Sequence, residues 1–142
     1  MKTFLAAAAA LLLSACAALS GGDGMGLRVE PTQYSPAMSS TPGIGLTPVF
    51  EPPAGTSVNY HWTADFGYFV SWNPPNYVVL PRGADLTATE GRLYWTYDPR
   101  YAPDSKPVVT IVVEARDPDD GRILARRTLK LDWAYDTARV RD

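Results

Sequence analysis

The chain has 142 residues, a net charge of -2 from thirteen Lys and Arg against fifteen Asp and Glu, one His and one Cys. A single cysteine excludes an intrachain disulfide and a multi-cysteine metal site, and a single histidine excludes a histidine metal cluster. The basic residues are scattered, so the clustered positive charge that phosphate backbones reward is missing and no nucleic-acid partner is expected.

Met1 and Lys2 give a short positive start, Phe4 to Leu13 is an unbroken apolar run, and small residues follow, which is the three-part pattern of an export signal. Leu13-Ser14-Ala15-Cys16 resembles a bacterial lipobox. The resemblance implies cleavage before Cys16, acyl chains (palmitate or its like) on the Cys16 thiol, and residues 1-15 as a signal peptide. An uncleaved membrane helix competes, because Thr3 to Leu19 is about the shortest run that spans a bilayer; Ser14 and the small-residue cluster favour cleavage. Each buried methylene adds about 0.8 kcal/mol, so two or three chains would anchor the protein stably where one would not. By the same resemblance, Ala17 in second place favours the outer membrane of a Gram-negative cell, on its periplasmic or its surface side. Residues 16-26 are glycine-rich, and as a flexible coil they would reach roughly 17 Å from the membrane.

Residues 27-135 are expected to form one domain. Val58, Tyr60 and Trp62 alternate with Asn59, His61 and Thr63, the pattern of a half-buried strand. Further strands are predicted from Tyr68 to Trp72, Arg92 to Tyr97, Val108 to Ala115 and Ile123 to Trp133, each bounded by Pro, Gly or Asp clusters. Apolar residues at both parities from Val108 to Val113 suggest a central strand covered on each side. Asp117-Pro118-Asp119-Asp120-Gly121 reads as a hairpin turn, since Asp-Gly supplies positive φ; a calcium loop is the alternative, but its spacing is one residue short of the EF-hand pattern. Residues 136-142 read as a tail. Thirteen prolines and no helical period leave an all-β fold, an antiparallel sandwich with Trp62 in its core.

Tyr60-His61-Trp62-Thr63-Ala64-Asp65-Phe66-Gly67 resembles the Trp, Asp and Gly motif of PKD-type immunoglobulin-like domains, and the likeness extends over Val29 to Trp133. It implies a surface spacer or adhesion module without catalysis. This chain departs from the family's usual Gly-Asp-Gly-like turn after the tryptophan.

Catalytic constellations are thin. A Ser-His-Asp triad would have to use His61, and no Gly-x-Ser-x-Gly serine is present; the simpler reading leaves His61 facing solvent beside Trp62. Asp65, Glu90, Glu114 and Asp117 could supply paired carboxylates for glycoside hydrolysis only at defined separations. No cofactor or metal is expected. The aromatics are more informative. Adjacent rings on a strand point to opposite faces, so some are exposed. Tyr68, Trp72 and Tyr77 are the candidates, with Asn73 and Asn76 in the stiff Asn73-Pro74-Pro75-Asn76 turn between the last two; Tyr97 and Tyr101 form a second set. They could pin a loop, stack a glycan or peptidoglycan, or contact a protein. The expectation is a non-catalytic, membrane-anchored lipoprotein that binds an envelope protein, with a carbohydrate or cell-wall binding module as the alternative.

Overall fold

The computed structural model describes residues 18-19, 24-101, 107-134 and 136-141, with only the backbone of 18, 19 and 101. The export signal and Cys16 lie outside the described residues. In chain order the strands are β1 (Ala18–Leu19), β2 (Gly26–Glu30), β3 (Gln33–Tyr34), β4 (Ile44–Val49), β5 (Asn59–Ala64), β6 (Tyr68–Ser71), β7 (Leu80–Gly83), β8 (Asp85–Ala88) and β9 (Leu93–Thr96). A short 3-10 turn (Pro99–Tyr101) precedes β10 (Val108–Arg116), β11 (Ile123–Ala134) and β12 (Thr137–Val140).

These strands make two six-stranded sheets, ordered β1-β2-β4-β9-β6-β7 and β3-β12-β11-β10-β5-β8, and every pairing is antiparallel. The expected sandwich is present. Period-two alternation puts Leu27, Val29, Ile44, Leu46, Phe69, Leu93 and Trp95 of the first sheet into one core with Trp62, Val109, Ile111, Val113, Leu129 and Leu131 of the second. Each such side chain contributes about 1.5 to 3 kcal/mol when removed from water. Rings bridge the sheets: Trp62 lies 5.5 Å from Phe69 and Trp95 lies 6.5 Å from Trp133.

β10 is central, flanked by β11 and β5, but only one of its faces is fully covered. Val109, Ile111, Val113 and Ala115 are buried, whereas on the other side Thr110 and Val112 are half-buried and only Glu114 is buried, because among the described residues no layer packs over that face. The hairpin reading of Asp117 to Gly121 holds: Gly121 N–H donates to Asp117 O at 2.8 Å with Gly121 at φ 72°. The Asp117 and Asp120 carboxylates accept from the amides of Asp119 and Arg122, both at 2.8 Å, so they serve the turn itself.

The domain is longer than expected at both ends. Apolar alternation begins at Met25, which is buried in the core two residues before the expected start. Ala18 and Leu19 pair with Arg28 and Leu27, so the 16-26 segment is not a tether throughout. The expected tail is β12, which lies between β11 and β3 with Ala138 fully buried. Its short, charged composition hid an edge-proximal strand.

The Asp65-Phe66-Gly67 turn after β5 has a packing role. Thr110 N–H donates to Asp65 Oδ1 at 2.8 Å, and Trp95 Nε1–H donates to Phe66 O at 2.9 Å. Gly67 has φ +75°, and a Cβ there would lie 2.4 Å from Thr96 O and 2.7 Å from Trp95 Nε1. Only glycine combines that backbone with that approach.

Candidate functional site

The connection from β6 to β7 carries most of the residues singled out above. Val70 and Tyr94 face outward from neighbouring strands, yet both are buried. On this outer side the ring of Trp72 meets that of Tyr94 edge-on at 5.5 Å and 86°. Tyr77 then packs on Trp72 at 5.0 Å, with the rings tilted by 59°. Tyr77 N–H donates to Asn73 O at 3.0 Å and closes the Asn73-Pro74-Pro75-Asn76 turn, leaving Tyr77 at φ 50°. Asn73 and Asn76 are exposed. Trp72 is thus a cap on a small second cluster, and Tyr77 is its half-exposed rim.

Beyond the rim the chain stays apolar. Tyr77, Val78, Val79 and Leu80 are 51, 57, 47 and 55 % exposed, and no charged residue occurs from Phe66 to Pro81. Val78 and Leu80 border a cleft of about 390 Å³ together with Pro74 and Pro75. The largest apolar patch on a monomer's surface is often a functional one. Sequence reading picked out Trp72 and Tyr77 but missed Val78 to Leu80, although the lack of charge over that stretch was a visible signal.

The second aromatic set does not join it. Tyr97 is buried, a correction to its expected exposure: it continues the inward alternation of Leu93 and Trp95. Its hydroxyl donates to Asp136 O at 2.5 Å, its ring lies 4.1 Å from that of Trp133, and burial, with Asp136 and Tyr34 nearby, pushes its pKa up to about 12. Tyr68 is half-buried on β6 opposite Thr96. Tyr101 ends the 3-10 turn, and its side chain lies outside the described residues.

His61 is not simply solvated beside Trp62, as expected, but clamped. Its Nε2 lies 2.7 Å from Asp85 Oδ1 and its Nδ1 lies 3.3 Å from Glu114 Oε1. Arg116 Nη2–H donates to the same Glu114 oxygen at 2.7 Å. Burial raises the Glu114 pKa, but the hydrogen bonds from Arg116 and His61 outweigh it and hold this carboxyl below its ordinary value of 4.5. Both imidazole nitrogens therefore face carboxylates, whereas a triad histidine turns one toward a hydroxyl. Among the described residues, no group of three or more His, Cys, Asp or Glu converges into a metal site.

The fold class is thus an all-β, two-sheet antiparallel sandwich with an uncharged apolar margin. No family model, no curated protein and no solved structure matches the chain.

Proposed function

We propose that the chain is a lipid-anchored, non-catalytic interaction module of the bacterial envelope: an immunoglobulin- or PKD-like sandwich, acylated on Cys16, that docks an envelope protein through Tyr77 to Leu80. The observation that carries this reading is the run of four half-exposed apolar residues on a rigid scaffold. Protein interfaces are depleted of charge at their centre and enriched in aromatic residues; this stretch carries no charge and opens on Tyr77. Loops held by a sandwich are also where such modules place recognition. The lipobox-like sequence supplies the membrane attachment.

The alternative, a carbohydrate or cell-wall module stacking sugars on Trp72 and Tyr77, is less well supported at these residues. Their 59° tilt does not make a flat row, and Trp72 is turned onto Tyr94.

Two measurements test the proposal. Cys16→Ser will release the protein from membranes into the soluble fraction, as read by fractionation and by loss of incorporated palmitate analogue; a variant that stays integrally membrane-bound refutes lipid anchoring. A photo-crosslinking amino acid at Val79 will give a discrete adduct in intact cells that disappears in Val78→Asp with the melting temperature unchanged. No adduct, or one indifferent to that substitution, refutes docking through this run.

A further inference from the structure

A second cleft, of about 470 Å³, lies between β2, the loop after β3, and β9. It falls within the range of small-molecule sites. Tyr94 forms part of its lining and is only 6 % exposed. Its ring can lie across β4 because the facing residue is Gly45, where a Cβ would sit 3.1 Å from the ring and 2.5 Å from Glu30 O. The Tyr94 hydroxyl makes no hydrogen bond among the described residues, and it is not sealed from solvent. Tyr94 thus brings to the lining a largely buried ring whose hydroxyl has no partner among the described residues.

The rest of the lining completes a mixed donor and acceptor set. Among the described residues Glu30 forms no ion pair, and Arg92 uses only its Nε, which donates to Thr47 Oγ1 at 2.9 Å and leaves both Nη groups without a partner there. Glu30 and Arg92 border one cleft but do not pair with each other. Gln33 Oε1 accepts from Arg139 at 2.9 Å, which leaves its amide N–H groups to donate, and Ser39 Oγ accepts from Ser35 N–H at 3.1 Å, which leaves its hydroxyl hydrogen.

With one carboxylate and one guanidinium the lining carries no net charge, so it favours neither a simple anion nor a simple cation. Hydroxyl groups both donate and accept, and satisfy a carboxylate, a guanidinium, an amide and a phenol in the same space. The exposed Met38 on the rim offers an apolar contact for C–H faces. We infer that this cleft binds a saccharide unit of a glycan, with Glu30 accepting from its hydroxyls, Arg92 donating to them and Tyr94 OH completing the set. Its lining shares no residue with the docking run at Tyr77 to Leu80, although Tyr94 packs on Trp72, which in turn carries Tyr77.

The test uses the full-length protein in a detergent without a sugar headgroup, titrated calorimetrically with tetrasaccharides of β-1,4-linked N-acetylglucosamine, glucose and mannose, and with glycylglycine as a zwitterionic probe. At least one tetrasaccharide will bind saturably. Glu30→Gln and Arg92→Gln will each weaken it about tenfold, as loss of a charge-assisted hydrogen bond requires, and Tyr94→Phe about threefold with an unchanged melting temperature. Val78→Asp will leave it intact. The assignment is overturned if no tetrasaccharide binds, if glycylglycine binds in their place, or if binding is indifferent to all three cleft variants.

Discussion

Trp95→Ala will destabilise the sandwich by about 3 to 5 kcal/mol, the cost of deleting a fully buried tryptophan and leaving its cavity. Trp95 is 0 % exposed and touches Tyr97 at 5.8 Å and Trp133 at 6.5 Å, so no neighbour can swing in without leaving its own place. The substitution also strips Phe66 O of its donor, and the Gly67 turn loses the indole it was shaped to approach. Equilibrium denaturation in urea will show the loss as a lower midpoint, and thermal unfolding as a fall of roughly 4 °C per kcal/mol for a domain of this size. Trp95→Phe keeps a ring and loses the N–H, and will cost about 1 to 2 kcal/mol. A cost below 1 kcal/mol for Trp95→Ala would show that the turn and the core are not coupled through this indole.

Glu114→Ala will cost about 2 kcal/mol near neutral pH. Glu114 is 8 % exposed and answers both Arg116 and His61, which would be left facing an apolar methyl. The figure sits below that of a fully buried pair because Arg116 is one-third exposed and partly solvated. The pH dependence has a definite sign. A carboxyl whose folded pKa is depressed stabilises the fold above its unfolded value and loses that contribution as pH falls through the folded one. The stability gap between the native protein and Glu114→Gln will therefore be full above about pH 5 and close as pH falls below 4.5, the ordinary value of this group. A gap that is constant down to pH 3 would show that the Glu114 charge does not contribute.

How much of this was legible in the sequence depends on how local the information is. β5, β6, β9, β10 and β11 were found within a residue or two, because each carries enough alternating Val, Ile, Leu, Tyr or Trp to show its period. β4 and β7 contain Pro48 and Pro81, residues that argue against a strand when read locally, and β3, β8 and β12 are too short to show a period. Tyr97 was misplaced by the Asp98-Pro99 turn beside it, although its parity with Leu93 and Trp95 pointed inward. The apolar margin at Tyr77 to Leu80 was half-seen, as rings rather than as a surface. The cleft of Glu30, Arg92 and Tyr94 was invisible: Glu30 comes from β2 and the other two from β9 and the residue before it, and only sheet register brings Glu30 and Tyr94 to the two sides of Gly45.

The place of β12 sets a schedule for assembly. Gln33 and Tyr34 find their sheet partners only in Arg139 and Ala138, more than a hundred residues later, so the second sheet lacks two of its strands until the chain is available through that point. Closure of so long a loop comes late and slows folding. Any event that removes or withholds residues 137-140 therefore takes from β3 its partner strand and leaves β11 as the open edge of the second sheet.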